Sequence, residues 1–310
     1  MDYLCTQNCS KCMDELTPKD IEPTEDHPLE ELDLGRKLQR GDFPKFFDFI
    51  AMLIIIVVSQ IVVSMVGVAL GLQMPNALGG EVVDIENFIG TQVVRGESFA
   101  VIYPLSMIVA FLLLYGYVYL RDGRGRVARV STSGFNPNVI LGGLIWLISV
   151  QVVVEPISLY LPVAESAAGQ GFWAIVTAVI FAPVLEEFIF RGLVLESLLR
   201  RHRRLFSVIV SAALFAIVHF QPSVMFSAFV SGLVLGTIYL HTNSIFSTII
   251  LHSINNAIAF SLITLNIEDY SYRQVLGGGQ LYYIVYAICF VISVVATIET
   301  WRRRKRVNRA

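Results

Sequence analysis

Charge is what this sequence is short of. Only 15% of its 310 residues are Asp, Glu, Lys or Arg, against roughly 25% in an average soluble domain. With 55% hydrophobic residues and a mean hydropathy of +0.65, the chain holds more apolar surface than a water-soluble fold of this length can hide. Cysteine is scarce as well: Cys5, Cys9 and Cys12 stand in an N-terminal tail and Cys289 in a hydrophobic run. That placement excludes the disulfide framework of a small secreted domain. The net charge of −2 lacks the basic footprint that a nucleic-acid partner requires. The first 45 residues, rich in Asp and Glu, read as an acidic, flexible tail. They lack the basic stretch, apolar run and small-residue cleavage site of a signal peptide.

What is present is a succession of long apolar runs. They lie near Phe46–Leu72, Ser98–Leu120, Val139–Pro162, Phe172–Leu199, Phe206–Phe220, Ser223–Leu240, Ser244–Leu265 and Leu281–Glu299. Most reach the roughly 20 apolar residues that cross a bilayer as a helix. None shows the strict alternation of a barrel strand. The expected fold class is all-α: a polytopic membrane protein with about eight transmembrane helices. Its organisation is a tail over 1–45, a helical membrane domain over 46–300 and a basic tail over 301–310.

Lysine and arginine set the orientation. They cluster before the first run (Lys11, Lys19, Arg36, Lys37, Arg40, Lys45), between the second and third (Arg121, Arg124, Arg126, Arg129), between the fourth and fifth (Arg200, Arg201, Arg203, Arg204) and after the last (Arg302 to Arg306, with Lys305, and Arg309). With eight spans these segments share one side. The other side holds only Arg95 and Arg273, so the positive-inside rule places both termini in the cytoplasm. The expected location is a multi-pass cell membrane, of the bacterial inner-membrane type. The terminal arginines suit anionic lipid headgroups.

Against this background the deep polar residues carry the information, because a charge at a helix centre costs on the order of 2.5–3.5 kcal/mol on insertion scales. The fourth run contains Glu186-Glu187 and Arg191, the fifth ends on Phe215-x-x-x-His219, and the seventh contains His252-x-x-x-Asn256. At 1.5 Å per residue, Glu186 lies roughly 21 Å and His219 about 20 Å from the cytoplasmic end, with His252 and Asn256 about 12 and 18 Å in. Three helices thus bring polar groups to one slab of the membrane. Glu187 and Arg191 share a helix face at i,i+4. Glu186, turned about 100° from its neighbour, is free for another task. A purely structural ion pair would leave Glu186 without a partner.

These residue types describe addition of water to a carbonyl. A carboxylate in apolar surroundings becomes a general base of useful strength. A histidine beside it holds the water, and a second histidine with an amide stabilises an oxyanion. There is no serine nucleophile with an evident base and no H-E-x-x-H zinc motif. Glu with two His also matches a known zinc ligand set, so a divalent metal such as zinc on Glu186, His219 and His252 stays open. Two other classes are compatible with buried Glu and His: a proton-coupled transporter, and a non-catalytic immunity or scaffold protein.

The three motifs in order resemble the CPBP family of intramembrane proteases, also called the Abi or CAAX-protease family. That family includes the Ras-converting CAAX endopeptidases and bacteriocin self-immunity proteins. Its pattern is E-E-x-x-x-R, then F-x-x-x-H, then H-x-x-x-N or D. The small-residue helix Ser231-Gly232-Leu233-Val234-Leu235-Gly236 is similar too, and the resemblance covers roughly residues 140–265. It implies that Glu186 and His219 activate water, that His252 and Asn256 support the oxyanion, and that Glu187 and Arg191 are structural or secondary. The implied substrate is a peptide or protein associated with membrane lipid, its identity left open.

Overall fold

A computed structural model describes residues 43–70, 96–122, 135–158, 160–161, 172–220, 222–264 and 271–307. The Cys5, Cys9 and Cys12 tail lies outside the described residues. Among the described residues there is no strand. Among the described residues eight apolar helices carry the fold: α1 (Phe46–Ala69), α2 (Gly96–Asp122), α3 (Pro137–Ser158), α4 (Phe172–Arg201), α5 (Arg204–Ile217), α6 (Pro222–Thr242), α7 (Ile245–Thr264) and α8 (Gln280–Val307). Seven of them are long and apolar enough to cross a membrane, and α5, at 14 residues, is not. The chain is an all-α polytopic membrane protein.

The shortness of α5 has a local cause. The helix ends at Ile217, and Phe220 adopts a left-handed φ of 56° before α6 begins at Pro222. A bulky residue in that region is rare and terminates a helix. The chain therefore folds back at once, and α5 and α6 pack as an antiparallel hairpin. Small residues set their spacing. A Cβ on Gly232 would stand 3.1 Å from the Ala212 backbone, and one on Gly236 would stand 3.1 Å from Val208. A Gln151, Ser227 and Ser231 hydrogen-bond cluster joins α3 to α6.

Two ion pairs fix which helix ends are level. Asp48 at the start of α1 meets Arg121 at the end of α2 at 3.0 Å and also accepts from Tyr117. Asp122 pairs with Arg200 at the end of α4. His202 follows α4, where its ring packs against Phe49 and Phe206 and Nε2 approaches the Pro44 carbonyl at 3.2 Å. At the opposite end of α3, buried Glu155 accepts from the Tyr272 backbone N–H and the Tyr282 phenol. Burial beside Glu155 pushes the Tyr272 phenol up to about 12. Gly277 and Gly278 then turn the chain at positive φ into α8. That helix runs on to Val307, so Arg302 to Arg306 form its last turns.

Candidate active site

α4 is the central element, packing on α2, α5, α6 and α7. It is not a uniform α-helix. Thr177–Phe181 and Phe188–Leu195 are π-helical and flank an α-helical segment, Ala182–Glu187. Pro183 explains part of this. Its ring cannot donate to the preceding turn and crowds it, and a wider π turn just before it relieves the clash. A π stretch also leaves carbonyls off the regular ladder, and neighbouring helices use them. Asn256 Nδ2 of α7 donates to the Ala178 carbonyl at 2.9 Å, and Ser211 Oγ of α5 donates to the Phe190 carbonyl at 3.0 Å.

The widened helix turns both glutamates and Arg191 inward, where all three are buried. Arg191 donates from Nη1 to Glu187 Oε1 at 2.6 Å. Its second amino group reaches the Gly232 carbonyl at 3.4 Å, which is accessible because glycine lets α6 approach. The guanidinium lies 4.9 Å from the Phe215 ring centre, a cation–π arrangement. His252 Nδ1 lies 2.9 Å from the same Glu187 oxygen, and its Nε2 lies 3.6 Å from Glu186 Oε2. The two carboxylates therefore stand at the two ring nitrogens of one imidazole.

Phe215 is the hub for the histidines. Its ring meets His219 edge-on at 4.9 Å and His252 at 5.7 Å. His219 Nδ1 lies 2.8 Å from the Phe215 carbonyl. A carbonyl only accepts, so Nδ1 carries a proton and Nε2 keeps its lone pair in the neutral ring.

Of the residues singled out in the sequence, Glu186, Glu187, Arg191 and His252 are in direct contact. His219 joins them through Phe215 rather than through a carboxylate. Asn256 commits one amide proton to the Ala178 carbonyl, which leaves the other for a target shared with His252. Among the described residues no three His, Cys, Asp or Glu side chains are gathered so as to hold a metal ion. Glu186, His219 and His252 thus do not form a ready ligand set.

One contact has no counterpart in the motifs. The Tyr103 phenol of α2 donates to Glu186 Oε1. Glu186 Oε2 is buried with no hydrogen-bond partner. The only hint in the sequence is a Tyr-Pro step inside an apolar helix.

No curated protein and no solved structure matches the chain at a significant level. Residues 168–258, which contain α4 through most of α7 and every motif residue of the site, match the family described as type II CAAX prenyl endopeptidase Rce1-like. That match spans less than a third of the chain and agrees with the resemblance carried by the motifs.

Proposed function

We propose that this protein is an intramembrane endopeptidase that hydrolyses a peptide bond of a membrane-associated peptide or protein with a water activated by Glu186 and His219. The observation that carries this reading is the open valence of the site. Glu186 Oε2 is buried, has no hydrogen-bond partner and faces His252 Nε2 at 3.6 Å. A buried polar atom left unpaired costs stability, so its persistence suits a group whose partner is a reactant.

The reaction follows from the donors and acceptors. Water bound between Glu186 Oε2 and His219 Nε2 gives its proton to the carboxylate as its oxygen attacks the scissile carbonyl carbon. The resulting oxyanion is met by His252 Nε2 when that nitrogen is protonated and by the second amide proton of Asn256. Glu187, pinned by Arg191, holds the imidazole from the other side and balances its positive charge. Collapse breaks the C–N bond, and the proton taken from water passes to the departing amine. The products are one carboxylate and one amine.

In proteoliposomes, Glu186→Ala and His219→Ala are expected to abolish cleavage of membrane peptides while insertion and abundance stay normal. Comparative peptidomics of membranes carrying wild type or Glu186→Ala checks this. Full cleavage by either variant overturns the mechanism. Solute or proton uptake by the wild type without any cleavage product overturns the reaction class in favour of a transporter.

A further inference from the structure

The family match begins at residue 168 and so says nothing of α2, yet α2 delivers a side chain into the site. We propose that Tyr103 is a positioning residue for Glu186. Its hydroxyl ties down one carboxylate oxygen so that the other faces His252 and the reacting water. The proposal rests on reading Glu186 as the group that activates water.

The two oxygens of Glu186 are not equivalent. Oε1 accepts from Tyr103, and Oε2 has no hydrogen-bond partner. The terminal torsion of a glutamate is broad and roughly two-fold, so a carboxylate without a fixed donor interchanges its oxygens freely. Glu187 is held by a guanidinium and an imidazole. Glu186 makes no hydrogen bond to a cation of that kind, and the phenol takes over the task. The backbone behind Tyr103 is itself braced. Pro104 follows it, Ser106 Oγ donates to the Tyr103 carbonyl at 2.7 Å, and Ile102, Ser106 and Met107 are buried. The ring thus hangs from a stiff point on α2. In the reaction Oε2 takes the water proton and Oε1 stays with Tyr103, so the phenol neither gains nor loses a proton.

Tyr103→Phe keeps the ring and removes the hydroxyl. In the purified full-length chain, the infrared carboxyl band that disappears in Glu186→Gln is expected to shift in Tyr103→Phe. A band left in place overturns the proposal, because a side chain that only packs would not move it. With a quenched farnesylated CAAX-type peptide as probe, kcat is expected to fall about 10- to 100-fold, the scale of a misplaced reacting group, with KM unchanged. A wild-type kcat in Tyr103→Phe also overturns it. If wild type does not cleave the probe, the proposed reaction fails for that peptide, and the infrared band still decides the role of Tyr103. Should Tyr103→Phe not accumulate, fluorotyrosine at position 103 keeps the shape and alters the donor. The same band must then move, and its constancy overturns the proposal.

Discussion

Glu187 has no exposed surface, and one of its oxygens accepts from both Arg191 and His252. Such a pair adds little net stability, because desolvation offsets the attraction, but breaking it strands a charge. Arg191→Met is therefore expected to lower unfolding stability by about 3–5 kcal/mol. In Glu187→Met with Arg191→Met both charges go, and most of that stability returns. Cleavage does not return, because His252 has lost the acceptor that orients it. Thermal unfolding in detergent beside a cleavage assay separates the two effects. Much of this arrangement was legible in the sequence. Glu187 and Arg191 stand at helical spacing, in the same slab of the membrane as His252. Tyr103 was not legible, since no periodicity links a phenol to a carboxylate 83 residues away. The deflection of Asn256 onto Ala178 was hidden too, because it depends on a carbonyl released by a π turn.

Among the helices, α4 and the α5–α6 hairpin do the positioning. Apolar runs located every long helix, but hydropathy cannot tell a π stretch from an α turn, and it extended α5 to Phe220. The left-handed Phe220 is a backbone property that composition does not carry. The hairpin predicts its own weak point. Gly232 lies against the Ala212 backbone and also offers its carbonyl to Arg191. Gly232→Val pushes the two helices apart. It is expected to cost about 1–3 kcal/mol, as overpacking does, and to lower cleavage by displacing Arg191 and Phe215 together. Gly142→Val, at a position with nothing within 4 Å of its Cβ, is the control and should leave cleavage unchanged. A Gly232→Val variant as stable and active as wild type would show that the hairpin is looser than described.

For the whole molecule, the level helix ends joined by Asp48–Arg121 and Asp122–Arg200 agree with the side that the lysines and arginines favour. Orientation is testable directly. In a chain freed of its native cysteines, Arg201→Cys is expected to react with an impermeant thiol reagent only from the cytoplasmic face, and Arg273→Cys only from the opposite face. Equal labelling from one face would change the number of crossings and move the site to a different depth.

The brevity of α5 bears on how the molecule is made. A helix of 14 residues is too short to span a bilayer by itself, so it is expected to enter together with α6, as a unit. Ribosomal synthesis runs from the N-terminus, and Glu186 is therefore in the chain well before the α7 residue His252. Until α7 arrives, the carboxylates lack the imidazole between them. On the proposed function the site is thus incomplete until α7 is made, and cleavage waits on that helix.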